Sequence, residues 1–154
     1  MRLVIIFFGV LVLVAACTAS LQESDSARQA LINYFDALNR GDYAAAAALY
    51  GGNYGNLQGM NPDIDPTDYV TLLQRGCVQN GLQCLATRTV SLDEQVGDTY
   101  VFLVEFSNPD GSLFVRGPCC GASETEMPSI SQFSYTVVNT GGKYLVQELP
   151  VYVP

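Results

Sequence analysis

Apolar side chains recur at every third or fourth position from Ser26 to Tyr50, and this spacing predicts two helices. One face of the first helix carries Ala27, Ala30, Leu31, Tyr34, Phe35 and Leu38. Ser26 and Gln29 have the spacing of a capping box, which predicts that this helix begins at Ser26. Gly41 suits a left-handed helix end, and Asp42 suits the cap of the second helix. The stretch therefore predicts a helix hairpin with a Gly-Asp corner.

A third helix is predicted after residues 51–56, a glycine-rich stretch with the composition of a surface loop. Asp65 supplies a helix cap, and Pro66 suits the first turn because its missing N–H needs no partner there. Apolar residues at helical spacing follow, and Gly76 marks the expected end of the helix.

The period of the apolar positions then changes to two, which predicts β-strands. Tyr100, Phe102, Val104 and Phe106 share one face of the most regular strand. The predicted strands are Leu85–Leu92, Tyr100–Phe106, Ser112–Arg116, Gln132–Asn139 and Lys143–Val153. Turn-forming residues occupy 96–98, 109–111 and 140–142, whereas 117–128 has the composition of an irregular loop. Helices followed by an antiparallel sheet predict one α+β domain over residues 26–154.

The first 16 residues have the pattern of a signal peptide. Arg2 precedes an apolar run, Leu3–Val14, that is shorter than a membrane-spanning helix. The segment Val14-Ala15-Ala16-Cys17 resembles the bacterial lipobox. The resemblance implies cleavage before Cys17, a diacylglycerol on its sulfur, and anchoring on the extracytoplasmic side of a bacterial membrane. Residues 18–25 are polar and few, so residues 17–25 are predicted to be the lipidated cysteine and a short tether. The alternatives are an ordinary signal peptide and an uncleaved anchor.

Composition excludes several classes of function. The 154 residues include 15 acidic and 7 basic side chains, a net charge of −8, so the basic surface that nucleic-acid binding needs is missing. The chain has no histidine, which removes the usual Ser-His-Asp and Cys-His sites and disfavours zinc. The acidic residues from Asp63 to Asp68 lack the order of an EF-hand, and no Walker or dinucleotide pattern occurs. We therefore expect neither a metal nor a cofactor.

Four cysteines follow Cys17, and an even set in an exported chain predicts disulfides. Cys77 and Cys84 flank the short connection from the third helix to the sheet. Cys119 and Cys120 follow the third predicted strand, which in a meander places them roughly 23 Å from Cys84, the length of a strand of about seven residues. A disulfide cannot span that distance. We therefore predict a Cys77–Cys84 bond, with Cys119 and Cys120 left as a strained vicinal disulfide or as two thiols.

The residues around the helix corner, from Tyr34 to Tyr43 and on to Tyr50, resemble the opening of the NTF2-like superfamily. The resemblance implies an α+β cone in which three N-terminal helices pack against a curved antiparallel sheet. In the ketosteroid isomerase-like members of this superfamily, a tyrosine at the position of Tyr34 donates a hydrogen bond to the enolate. Their carboxylate base follows the second helix, but residues 51–60 of this chain contain no acidic residue.

A non-catalytic binding or interaction domain is therefore the favoured function, with a small apolar ligand or an envelope protein as its partner. Candidate cavity-lining residues are Tyr34, Tyr100, Phe102 and Tyr135, for which plain core packing is the alternative. A second hypothesis is an isomerase or dehydratase that uses Tyr34, with Asp36 or Asp63 as its base. A third is a structural accessory of a cell-envelope complex. Many members of the superfamily dimerise through the sheet, so a homodimer also stays open.

Overall fold

The structure is a computed structural model, and it describes residues 22–154. The predicted signal peptide and the lipidation site at Cys17 lie outside the described residues. Within residues 22–154, no helix combines the length and the apolar character that crossing a membrane requires.

Four helices precede the sheet in the described chain. The described part of α1 covers residues 22–39, and α2 follows at Tyr43–Leu49, α3 at Gly55–Met60 and α4 at Tyr69–Val78. The helix hairpin is confirmed, since Gly41 has a φ of 75° and the Asp42 carboxylate accepts a hydrogen bond from Ala45 N at 3.1 Å. The capping box at Ser26 is wrong. Residues 22–25 of the predicted tether are already helical, and the Ser26 hydroxyl donates to the carbonyl of Gln22.

The third predicted helix differs from the observed α4 at both ends. Asp68 caps α4 and accepts from Thr71 N, whereas Asp65 accepts from Thr67 N and closes a tight turn before the helix. The helix continues past Gly76 to Val78, because this glycine serves a close contact and not a helix end. A Cβ at Gly76 would stand 2.7 Å from Leu82 Cδ1. The short helix α3 also replaces part of the predicted loop.

One curved antiparallel sheet packs against the helices and completes the α+β fold. Its strands are β1 (Ala86–Val96), β2 (Thr99–Ser107), β3 (Phe133–Thr140) and β4 (Lys143–Val146), and they pair in the order β1-β2-β3-β4. The register shifts twice between β1 and β2, at 87–89 and 92–94, and such bulges bend a sheet. The turns at 96–98 and 140–142 are confirmed, with a φ of 56° at Gly97 and 62° at Gly141.

Three of the five predicted strands differ from the observed ones. The first continues past Leu92 to Val96. The segment Ser112–Arg116 forms only isolated bridges, from Ser107 to Leu113 and from Arg116 to Ile130, so it is not a strand of the sheet. The last strand ends at Val146 and not at Val153, because the Glu148 carboxylate replaces a backbone partner and accepts from Thr136 N at 2.6 Å. The rest of the C-terminal segment leaves the sheet.

The core lies between α1 and the inner face of β2 and β3. Tyr100, Phe102, Val104 and Phe106 are all at most 1% exposed, which confirms the period-two pattern. Phe35 stands at the centre of an aromatic cluster, with ring centroids 4.8 Å from both Phe106 and Tyr135. Edge-to-face contacts of this kind add to the free energy of burial.

The disulfide between Cys77 and Cys84 is confirmed. It joins the last turn of α4 to the segment that leads into β1, with a Cα–Cα distance of 5.6 Å. Cys119 and Cys120 are not bonded to other cysteines.

Candidate functional site

The four residues predicted to line a cavity lie in the core. Tyr34, Tyr100, Phe102 and Tyr135 are at most 2% exposed. The ring of Tyr34 packs edge-on against Phe35 at 5.1 Å and stacks on Tyr50 at 5.9 Å. The cavities described below are lined by other side chains.

The hydroxyl of Tyr34 is buried and has no hydrogen-bond partner among the described residues. Burial raises the pKa of this tyrosine well above its ordinary value, and neighbouring Tyr50 and Tyr54 add to the shift. A phenol in this environment stays protonated at any physiological pH. It retains a donor for a hydrogen bond, but that donor points into packed core.

Neither predicted base lies beside Tyr34. Asp36 is on the solvent side of α1, 4.0 Å from Arg40, and Asp63 forms a 2.8 Å ion pair with Arg75. The carboxylate that the fold brings to the tyrosines is Glu148, which adds to the burial that raises the pKa values of Tyr34, Tyr50 and Tyr135. Sequence reasoning missed Glu148 because it assigned this residue to a regular strand.

A matched pair of substitutions tests whether the Tyr34 hydroxyl is only a buried, unpaired group. We expect Tyr34→Phe to raise the free energy of unfolding by about 1 kcal/mol, because an unsatisfied buried hydroxyl costs desolvation energy. Tyr50→Phe is the control, since the Tyr50 hydroxyl donates a hydrogen bond to the Asn53 carbonyl at 3.1 Å, and it should lower the free energy of unfolding by about 1 kcal/mol. Urea denaturation measures both. Destabilisation by both variants would contradict the assignment.

An apolar cavity lies at the end of the sheet, and none of the four predicted residues belongs to its lining. It has a volume of about 450 Å³, and its walls are Gln83, the segment 114–120, Met127 and residues 152–154. Phe114 anchors the first wall, since its N–H donates to the Phe106 carbonyl at 2.9 Å and its ring contacts Phe133. Val115 and Tyr152 are 49% and 46% exposed, which is high for large apolar side chains. The volume falls within the range of small-molecule pockets.

Arg116 has the one charged side chain among the described residues that line this cavity. Its guanidinium lies 6.0 Å from the centroid of the Phe133 ring, and it forms none of the ion pairs seen within residues 22–154. Its backbone is held by two hydrogen bonds with Ile130. The cavity therefore combines apolar walls with one positive charge, in a chain whose net charge is −8.

A second, wide-open cleft has a polar lining. It measures about 650 Å³ and lies between Gly52, Tyr54, Gln58, Tyr69 and Gln147. The rings of Tyr54 and Tyr69 stack at 4.3 Å, and burial together with Tyr69 raises the pKa of Tyr54 to about 12. The part of the lining that the structure describes contains no carboxylate.

No group of three or more His, Cys, Asp or Glu side chains within residues 22–154 could hold a metal ion.

In comparisons with known proteins, no family model and no curated protein matches the chain.

Proposed function

We propose that this chain is a non-catalytic, lipid-anchored binding domain on the extracytoplasmic side of a bacterial membrane, and that it holds a small apolar ligand. The observation that carries the binding proposal is the cavity of about 450 Å³ beside Phe114, Val115 and Met127. An apolar ligand that covers these walls removes apolar surface from water. Each Å² of apolar surface buried in this way makes the binding free energy more favourable by roughly 25 cal/mol.

The fold proposal is an NTF2-like domain. Its support is the resemblance of the segment from Tyr34 to Tyr50, together with helices that precede a curved antiparallel sheet. Folds of this breadth host many functions, so the fold alone does not choose among them. The residues that line the cavity indicate the class of ligand.

Arg116 narrows the expected ligand to an apolar molecule that carries an acidic group. The guanidinium provides donors in a fixed planar fork, which suits a carboxylate or a sulfonate. Within an acidic chain, an arginine without an ion pair at the edge of an apolar cavity is a local site of attraction for an anion.

A substitution in the cavity wall tests the binding proposal. We expect Val115→Asp to weaken binding of 1-anilinonaphthalene-8-sulfonate, an apolar probe with an acidic group, by about tenfold or more, because it places an unpaired carboxylate in the apolar wall. Val96→Asp is the matched control, since Val96 is 66% exposed at the end of β1 and lies outside the described cavity lining. Fluorescence titration measures both. Equal affinities of the two variants would contradict the proposed site.

The anchor is tested separately at Cys17. We expect Cys17→Ser to abolish incorporation of a labelled fatty acid and to release the protein from the membrane fraction, because two acyl chains hold a domain at a bilayer. Metabolic labelling and fractionation measure the two effects. The control is Cys120→Ser, which changes a cysteine far along the chain and should leave labelling intact. Unchanged fatty-acid labelling of the Cys17→Ser variant would contradict the proposal that Cys17 carries the lipid anchor.

The second candidate function is an enzyme that uses Tyr34 as hydrogen-bond donor. The observation in its favour is that Glu148 lies near Tyr34 and contributes to the rise in its pKa, because such an enzyme needs a carboxylate base close to the tyrosine. Against it stands the packing of Tyr34, which is 0% exposed and surrounded by aromatic rings. The binding domain therefore remains the better supported proposal.

A further inference from the structure

Cys119 and Cys120 belong to the wall of the apolar cavity, and their sulfur atoms lie only 2.7 Å apart. This separation is shorter than the van der Waals contact of two sulfur atoms, and one thiol donates a hydrogen bond to the other. Such an approach places the two sulfurs almost within bonding distance.

The backbone holds this arrangement in a tight turn. Ala122 N donates to the Cys119 carbonyl at 3.0 Å, and the two central residues, Cys120 and Gly121, have φ values of 61° and 88°. These positive angles are typical of a type I′ turn, whose central positions usually hold Gly, Asn or Asp. Cys120 is the one non-glycine residue of the described chain with a positive φ. Backbone strain of this kind is concentrated at functional sites.

The two thiols differ in exposure. Cys120 is exposed, whereas Cys119 is half-buried. The hydrogen bond with Cys120 raises the pKa of the Cys119 thiol, burial adds to the rise, and the nearby Arg116 opposes it. Cys120 is therefore the thiol that meets an external reagent first, and Cys119 is placed to react second.

We propose that Cys119 and Cys120 form a reversible dithiol–disulfide couple in the wall of the cavity, oxidised by small-molecule disulfides. The Cys120 thiolate attacks one sulfur of glutathione disulfide, which forms a mixed disulfide and releases one glutathione thiolate. The Cys119 thiolate then attacks Sγ of Cys120 and expels the second glutathione. The two released thiolates take up the two protons, so the cysteine pair loses two electrons and the reagent gains them.

Geometry makes this couple easier to reduce than the other disulfide. Neighbouring Cα atoms across a trans peptide stand about 3.8 Å apart, below the range of about 4.4–6.8 Å that relaxed disulfides prefer. The Cα atoms of Cys77 and Cys84 are 5.6 Å apart, within that range. Strained disulfides have the higher reduction potentials. The Cys119–Cys120 bond therefore opens first as conditions become reducing.

The couple also affects the cavity, and this step rests on the proposed function. Oxidation replaces two polar S–H groups in the wall with one apolar disulfide and fixes the turn from Cys119 to Ala122. An apolar ligand should therefore bind the oxidised protein more tightly. The existence of the couple itself does not depend on ligand binding.

One digestion separates the two cysteine pairs. Trypsin cleavage after Arg75, Arg88, Arg116 and Lys143 places Cys77 and Cys84 in peptide 76–88 and the vicinal pair in peptide 117–143. The mature protein is equilibrated in glutathione buffers of graded ratio, blocked with N-ethylmaleimide, digested and analysed by mass spectrometry. We expect peptide 117–143 to interconvert between disulfide and dithiol. Its disulfide should be reduced at a [GSH]²/[GSSG] ratio at least about tenfold lower than the ratio that reduces the disulfide in peptide 76–88. Cys119→Ser should retain one glutathione on Cys120.

Two thiols or glutathione adducts on peptide 117–143 in every buffer would overturn the couple. The absence of an adduct in Cys119→Ser would overturn the proposed order of attack. Titration with 1-anilinonaphthalene-8-sulfonate, the apolar probe with an acidic group, tests the effect on the cavity in the two redox states. Equal affinity of the oxidised and reduced proteins for the probe would overturn the proposed effect of oxidation on ligand binding, but not the dithiol–disulfide couple itself. No binding in either state would count against the proposed function, while the peptide masses would still decide the couple.

Discussion

Phe35→Ala is expected to lower the free energy of unfolding by about 3–5 kcal/mol, the largest effect among the substitutions considered. Phe35 is fully buried, and its ring makes edge-to-face contacts with Tyr34, Phe106 and Tyr135. The substitution removes these contacts and leaves a cavity that the surrounding strands cannot fill by collapse. Urea denaturation followed by far-UV circular dichroism measures the change.

Gln29→Ala is the control for Phe35→Ala, because it changes the same helix on its exposed face. It removes one exposed side-chain hydrogen bond, from Gln29 to Asn33, and should change the free energy by less than about 0.5 kcal/mol. A loss below about 1.5 kcal/mol for Phe35→Ala would mean that the core repacks around the missing ring. In that case the aromatic cluster would not be the centre of the fold.

Loss of the Cys77–Cys84 bond has the second-largest expected effect. The cysteines are seven positions apart, and closing so short a loop removes less entropy from the unfolded chain than a long one. The loop-closure relation nevertheless gives about 2–3 kcal/mol for a ring of this size. We expect the Cys77→Ala/Cys84→Ala variant to lose that amount, measured by urea denaturation without reductant.

The matched control removes the other cysteine pair. Cys119→Ala/Cys120→Ala eliminates the same number of sulfur atoms, but a bond between neighbours closes no loop of the chain. This variant should therefore change the free energy of unfolding by less than about 0.5 kcal/mol. Equal losses for the two double variants would show that the Cys77–Cys84 bond does not act through loop closure.

Local signals in the sequence predicted the helix corner and the disulfide correctly. Gly41 and Asp42 act within a few residues of each other, so their backbone angles and cap follow from residue type. The disulfide was predictable because Cys77 and Cys84 flank one short connection. Ser26 shows the limit of such signals, since its capping box has the right spacing but lies inside a helix that already includes residue 22.

The candidate site could not be predicted in the same way. Its walls come from Gln83, from residues 114–120, from Met127 and from residues 152–154, so they meet only when the C-terminal segment leaves the sheet. The signal that existed was the exposed apolar pattern around Val115, but the sequence assigned that segment to a strand. The predicted cavity residues, Tyr34 among them, were instead found packed in the core.

The sequence by itself determined the α+β class, the buried face of β2 and the Cys77–Cys84 pairing, because periodicity and short loops depend on residues that are close along the chain. The tertiary structure alone decided where Tyr34 and Glu148 lie, how far the last strand extends, and that Cys119 and Cys120 belong to an apolar cavity. These features depend on contacts between distant segments, and such contacts follow from the packing of the whole domain.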